Sequence, residues 1–452
     1  MDSTPYNKDS NDIVFYNLSL GGIFMESVKR AKHGVTVWHP DKAFAGYTLF
    51  CPLYTRWKQL MGEDISRVYL IDMKGDIVHY WTVPGLLRFH ADLLPNGHIL
   101  CAVDQKEYAE LKTEYLSFNV STTMELDWDS HVVWKHVEPF QDCHDRVRLQ
   151  NGNTLINVLR PIAPEIQARV KGGLPGSEIN GSNDAYSHVS GEINQSSTAV
   201  HSGQMYTIVM QEITPEGQVV DEMDLSQALD PDIDVITAYG GRAIWPGLNS
   251  IEEMPDGNII STSYNLSQIY IWDRKNKTVK WRFGQGKDKI SFPHDPHVLE
   301  NGHVLAFDNG RYHSADPNGK TNYFPPDFSR VIEIDPSTNE IVWEYRAENP
   351  VDFYSTFISS DQRLPNGNTL ICEGAVGRFF EVTPRGEIVW EYLSPFYSQS
   401  GTRYGRTSAV FRAMRYSFNY PGLIGKKFDA EKVASLNRLF GAEAMRFANF
   451  NG

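Results

Sequence analysis

Two histidines followed at once by aspartate, His144-Asp145 and His294-Asp295, lie at matching distances ahead of a repeated Asn-Gly turn. The turn recurs as Leu-Pro-Asn-Gly at 94–97, Leu-Gln-Asn-Gly at 149–152, Met-Pro-Asp-Gly at 254–257, Leu-Glu-Asn-Gly at 299–302 and Leu-Pro-Asn-Gly at 364–367. Counting back seven residues from each Asn or Asp gives Phe89, His144, Asn249, His294 and Ser359, and the next position gives His90, Asp145, Ser250, Asp295 and Ser360. Three histidines and two aspartates therefore share two equivalent places, out of 14 histidines in the chain. A neutral imidazole there can be a nucleophile or a general base, with Asp145 or Asp295 orienting it. Alternatively His90, His144 and His294 can hold a divalent metal with an open coordination position. No His-x-x-x-His pair favours the metal, and the residues alone leave both options standing.

Charged and aromatic groups near these positions suit an anionic, aromatic ligand. Arg146 follows His144 by two residues, Arg311 follows Phe-Asp-Asn-Gly and Arg378 follows Ile-Cys-Glu-Gly, so each is a candidate for bidentate anion binding. Asn249 and Ser359 fill the histidine slot in their own repeats, and Tyr264, with Tyr239, Trp245 and Phe357, offers a ring for stacking. The expected site is thus His294, His144, His90, Asp145, Asp295 and Arg311 for catalysis, with Arg146, Asn249, Tyr264, Ser359 and Arg378 around the substrate.

The repeats define what must position these groups. Asn-Gly and Asp-Gly suit a two-residue type I′ hairpin turn. A second phrase, an apolar strand, a Gly turn and a strand often ending in Ile-Val-Trp, turns at Asp72, Asp127, Thr214, Asp273, Asp335 and Thr383. Six copies built only of strands and turns predict an all-β fold, a six-bladed β-propeller. In the last unit the strands are expected at Ser360–Leu364, Asn368–Glu373, Arg378–Val382 and Glu387–Tyr392. The first unit has Gly46–Pro52 and Val68–Met73 but no inner strand, so the run Thr407–Tyr416 is expected to close the ring there, leaving no open edge. The propeller is placed at 35–420, after an extension at 1–34 with a short helix over Phe24–Lys32 and before a helical tail at 421–452 with a helix over Ala430–Asn449. The Gly-, Ser- and Asn-rich stretch 161–204 is an insertion, a lid candidate.

Bulk composition excludes some partners. With 42 basic and 56 acidic residues the net charge is −14, which argues against nucleic acid or an anionic membrane. The first ten residues are polar and no apolar run reaches spanning length, so a cytoplasmic protein is expected. Cys101 and Cys372 sit in apolar runs as small core residues. The partner expected is a small aromatic molecule.

Taken in order, Gly46-Tyr-Thr-Leu-Phe, Val68-Tyr-Leu-Ile-Asp-Met-Lys-Gly, the Leu-Pro-Asn-Gly-Asn turn, Trp245-Pro-Gly-Leu-Asn-Ser-Ile, Phe307-Asp-Asn-Gly and Gly386-Glu-Ile-Val-Trp resemble the PAPS-independent arylsulfotransferase family over residues 35 to 420. The resemblance implies a six-bladed propeller that moves a sulfuryl group from a phenolic sulfate to a phenol through a sulfated histidine, without a cofactor. It implies that His294 is the nucleophile and that His144 lies beside the sulfate. Where the family has a further histidine this chain has Gly247 and Leu248, and where it has an arginine this chain reads Ser261 to Tyr264. Arg311 or Arg146 would then have to supply positive charge. The alternatives are a metal-dependent lyase or hydrolase on the same scaffold, using His90, His144 and His294, and a propeller that binds without catalysis.

Overall fold

The computed structural model describes residues 32–53, 65–104, 121–174, 203–284, 290–312, 327–397 and 407–451. The chain opens with strand β1 (Gly34–Trp38), followed by β2 (Gly46–Pro52), β3 (Ile65–Ile71) and β4 (Ile77–Pro84). Blade two is β5 (Leu87–Leu93), β6 (Ile99–Asp104), β7 (Ser121–Leu126) and β8 (Val132–His136). Blade three is β9 (Gln141–Arg148), β10 (Thr154–Pro161), β11 (Tyr206–Ile213) and β12 (Val219–Asp224). Blade four is β13 (Leu248–Glu253), β14 (Ile259–Ser263), β15 (Gln268–Asp273) and β16 (Thr278–Phe283). Blade five is β17 (His294–Val298), β18 (Val304–Asp308), β19 (Arg330–Asp335) and β20 (Glu340–Tyr345). Blade six is β21 (Ser360–Arg363), β22 (Thr369–Glu373), β23 (Arg378–Val382) and β24 (Ile388–Leu393), and β25 (Val410–Ser417) comes last.

The sheet order β25-β2-β3-β4 completes a six-bladed propeller. Strand β25 pairs with β2 from Gly46↔Ser417 to Pro52↔Val410, so the C-terminal run fills the inner place of blade one as expected. No repeat marks β1, which adds a fifth strand to blade six by pairing with β24. It covers an edge that would otherwise show unpaired backbone groups.

The Asn-Gly turns differ from the expected type I′. The amide of Gly97 donates to Leu94 O (2.9 Å) and that of Leu94 to His98 O (2.8 Å), a type I turn followed by a left-handed glycine. Gly97, Gly152, Gly257, Gly302 and Gly367 take φ of 82–88°, while the Asn or Asp before each stays in the ordinary region. Pro95, at the turn's second position, suits this type, but Gln150 and Glu300 fill the same place in turns with the same hydrogen bond, so the proline is compatible with the turn rather than its cause.

The tryptophans of the second phrase join neighbouring blades. Trp134 Nε1 donates to Pro215 O (2.8 Å), Trp281 Nε1 to Asn339 Oδ1 (2.9 Å), Trp343 Nε1 to Pro384 O (3.0 Å) and Trp390 Nε1 to Met73 O (2.9 Å). Each reaches the turn between the two outer strands of the next blade, and the last crosses the ring closure. Between the sheets the core is apolar and aromatic, with Phe50, Tyr69, Trp81, Tyr270, Trp272, Phe307, Phe379 and Tyr392 all enclosed. Cys101 and Cys372 are fully buried there, and Cys51, Cys101 and Cys372 are free thiols.

Beyond β10 runs a short helix, α1 (Pro164–Gln167), and after β12 another, α2 (Leu225–Ala228). Most of the 161–204 insertion, residues 175–202, lies outside the described residues, as does all but the last residue of the helix expected over Phe24–Lys32. The single tail helix expected over Ala430–Asn449 is two, α3 (Ala430–Phe440) and α4 (Ala442–Asn451), broken at Gly441, which is extended. Asp76 Oδ1 accepts the Ala442 amide (2.8 Å) and so caps α4 from blade one. Val433 and Leu436 join the core beside Ile77, holding α3 on the propeller. Among the described residues no helix is long and apolar enough to cross a membrane.

Candidate functional site

The inner strands of a propeller run side by side around its axis, and their first residues meet at one mouth. Here those first turns are irregular. Pairing skips between Arg88 and Ala91 in β5, between Leu248 and Ser250 in β13, and between His294 and His297 in β17. Phe89, Asp295 and Ser359 take positive φ at 58°, 51° and 99°. These bulges break the strand alternation and turn successive side chains toward the axis. Non-glycine residues in that region store strain, which the surrounding sheets hold in place.

The upper layer holds His144, His294, Phe89 and, from the closing strand, Phe411. His144 Nδ1–H donates to Asp142 Oδ1 at 2.8 Å, and the His144 amide donates to the same oxygen at 2.9 Å. Phe89 stacks on the His144 ring with centroids 4.9 Å apart, and Tyr264 lies 6.0 Å away. Burial works against a charge on His144, but Asp142 more than offsets it and the pKa is raised. His294 has the opposite environment. Its Nδ1 donates to Asn309 Oδ1 at 2.7 Å and faces Phe292 O at 3.2 Å. Burial, with the nearby His144 adding to it, pushes the His294 pKa down to about 4. Its Nε2 makes no hydrogen bond to any described residue.

One residue deeper lies an ionic ring with Arg412 of β25 at its hub. Arg412 Nη2 is 3.0 Å from Asp145 Oδ2 and 2.6 Å from Asp295 Oδ1. Its Nη1 is 3.6 Å from Asp92 Oδ1 and 3.4 Å from His90 Nδ1. His90 Nε2 lies 3.0 Å from Asp145 Oδ1. Ser250 Oγ accepts the Asp295 amide (2.9 Å), and Ser360 Oγ accepts that of Ala413 (3.1 Å). All six blades thus contribute. Burial alone would raise both carboxyls, yet Arg412 holds Asp145 and Asp295 below the usual carboxylate range.

This division revises the expected site. His144 and His294 are together at the mouth, whereas His90, Asp145 and Asp295 belong to the ring beneath. The aromatic ring of Phe411 packs against both His90 (5.5 Å) and His294 (5.8 Å). The three histidines are therefore not gathered around one metal position. Among the described residues the possible ligand atoms that do converge are those of His90, Asp92 and Asp145, within 4.8 Å of one another, and the Arg412 guanidinium already sits against them.

Several expected substrate residues are structural. Arg146, expected at the mouth, is 1% exposed and its Nη2 donates to the carbonyls of His90 and Leu100. The reason is strand alternation: Asp145 faces the axis, so its neighbour Arg146 faces blade two. Arg378 is held by Glu373 (3.0 Å) and Glu391 (2.7 Å) within its own blade. Asn249 Nδ2 donates to Pro293 O (2.9 Å), and Ser359 Oγ donates to Ser355 Oγ (2.8 Å), so both tie loops together. Trp245 is wholly buried, with Nε1 on Asp234 O. Arg311 stands in the loop after β18, over the rings of Phe292 (5.2 Å) and Tyr312 (4.9 Å), and Tyr239 stacks on Tyr312 at 4.1 Å.

Four residues went unforeseen: Asp142, Asn309, Phe411 and Arg412. Asn309 lies inside the quoted phrase Phe307-Asp-Asn-Gly, and Asp142 precedes His144 by two, so both were within reach of a closer reading. Phe411 and Arg412 were in the run chosen to close the ring, but no Asn-Gly turn follows it to fix their register.

No curated protein sequence gives a significant match to the chain. Among solved structures, a protein of unknown function from Bacteroides caccae aligns with a TM-score of 0.48 at 12% identity, over 82% of this chain and 98% of that one. A streptogramin B lyase aligns with a TM-score of 0.37 at 14% identity, over 69% of this chain and 70% of that one. A virginiamycin B lyase from Staphylococcus aureus gives 0.38 at 12%, over 79% and 89%. None of these likenesses bears on the chemistry. Residues 194–394, from blade three through blade six and including His294, match the family model described as Arylsulfotransferase (ASST), and that match supports membership of the arylsulfotransferase family.

Proposed function

We propose that the protein transfers a sulfuryl group from an aromatic sulfate ester to a phenolic acceptor, with His294 as nucleophile and His144 as acid and base. One observation carries the reading: two neighbouring histidines have environments that push their proton affinities apart, the arrangement that separates a base or nucleophile from an acid. The His294 Nε2 lone pair attacks sulfur while the bond from sulfur to the aryl oxygen breaks. The leaving oxygen takes the Nε2 proton of His144. In the second half the acceptor phenol gives its proton to His144 as its oxygen attacks sulfur, and the bond from sulfur to Nε2 breaks. No cofactor is required. Arg311 would neutralise the sulfuryl oxygens, in place of the cations the family supplies from blade four. Phe89 and Tyr264 would stack against the aryl ring.

Incubation with an aryl sulfate and a phenol should show ping-pong kinetics, with donor phenol released in a burst before the acceptor is added. Absence of release across a panel of aryl sulfates would overturn the reading. The acid assignment has its own check. Asp142 raises the His144 pKa, so it keeps His144 charged to higher pH. In Asp142→Asn that support is gone, and the alkaline limb of the pH–rate profile should move to lower pH by about one unit or more. Above both limbs this is about a tenfold loss of rate. An unmoved limb would remove His144 from the role.

A further inference from the structure

The two mouth histidines make the same hydrogen bond to different partners. Each donates from Nδ1 to a side-chain oxygen, at 2.8 Å for His144 and 2.7 Å for His294. The partner of His144 is a carboxylate, and that of His294 is the amide of Asn309, the residue that follows β18.

An amide is nearly symmetric in shape, so its partners decide which end faces the histidine. Asn309 Nδ2 lies 2.7 Å from Ser355 O and 2.8 Å from Ile358 O. Carbonyl oxygens only accept, so the NH₂ group must be at that end and Oδ1 must face His294. The amide oxygen likewise only accepts, and Phe292 O beside it only accepts, so Nδ1 of His294 must carry a hydrogen. The neutral ring then has its lone pair on Nε2.

Asn309 is itself fixed. Ser329 Oγ donates to Asn309 O (2.8 Å) and accepts the Ser355 amide (2.9 Å). Ser359 Oγ donates to Ser355 Oγ, which in turn donates to Phe357 O (2.9 Å). The connection between blades five and six is thereby locked around the amide, and rotation would place Oδ1 against two carbonyls.

We infer that Asn309 is the positioning residue that sets His294 in the Nδ1–H form and keeps its Nε2 lone pair available for group transfer. The inference rests on His294 being the nucleophile proposed above. A neutral acceptor selects the tautomer without favouring the charged ring, which a carboxylate in that place would do. The other groups facing His294 are Asp295 on its own strand, which favours charge, His144 of blade three, which opposes it, and the uncharged ring of Phe411.

Nitrogen-15 NMR of the histidine rings in the full chain tests this. Wild-type His294 should be neutral and Nδ1-protonated from pH 5 to 8. Asn309→Asp should raise its titration midpoint by about two units and move the acid limb of turnover upward with it. Asn309→Ala should populate the Nε2–H form and slow single-turnover labelling of His294 by an aryl sulfate about 10²-fold or more. An Nε2–H ring in the wild type overturns the inference whether or not a variant folds, and so do an unchanged tautomer and titration in both variants. Rings that respond as stated while no aryl sulfate labels His294 would support the positioning role and refute the sulfuryl reading.

Discussion

Replacing Arg412 by methionine will lower folding stability by about 3–5 kcal/mol, because it leaves Asp145 and Asp295 buried without their shared cation. Both carboxylates are nearly free of solvent, and the same Nη2 serves both. Hydrogen bonds from the Ile251 and Arg146 amides to Asp145 remain, but they do not supply a full charge. Nearly isosteric methionine keeps most of the packing, so the loss reports charge rather than volume. The pH dependence separates the two. In the wild type the depressed carboxyl pKa values contribute stability that is present above the unfolded value and is lost as pH falls through the folded one. In the variant, burial without a cation raises those pKa values, so the folded state takes up protons on acidification. The deficit between variant and wild type should therefore be largest near pH 7 and shrink toward pH 4, measured by urea midpoints. A deficit independent of pH would show that Arg412 acts through packing alone.

Replacing His294 by alanine will abolish the sulfuryl transfer proposed above, a loss of about 10⁴-fold or more, while the protein stays folded. The ring is buried, but its one side-chain hydrogen bond is to a neutral amide, and no charge is orphaned by its removal. Asn309 Oδ1 loses a partner, a cost of about 1–3 kcal/mol that a domain of this size tolerates. Rapid-quench mass analysis should find the sulfuryl group on His294 in the wild type and nowhere in the variant. His90→Ala is the informative control: its ring belongs to the Arg412 layer, so it should weaken stability and leave the label in place. Labelling that survives in His294→Ala would place the nucleophile elsewhere.

Much of this architecture was legible in the chain because strand, turn and strand are local events. The Asn-Gly phrases place the hairpins, and the second phrase sets the blade count. Within blade six the expected strands agree with the observed ones to within a residue at most ends. The slot counted back from the turn found His144 and His294 for a physical reason: equivalent register in successive blades means equivalent height along the axis.

The same count could not say which neighbour in a pair faces the mouth and which the axis, since irregular pairing at the entrances of β5, β13 and β17 bears on that. By register alone His90 belongs with His144 and His294 and Arg146 belongs at the mouth, whereas in the fold His90 lies one layer lower and Arg146 faces blade two. Nor could it rank Asn309 above the other asparagines, because its importance comes from two carbonyls in a loop 46 and 49 residues away. The repeat, the closure of the ring and the shared register of His144 and His294 were legible in the chain because all three follow from short-range periodicity. The pairing of Asp142 with one histidine and Asn309 with the other, and the place of Arg412 at the hub, arise in the folded chain. Those depend on contacts between blades, where residues far apart in the chain share a buried space in which a single charge or a single amide sets the chemistry.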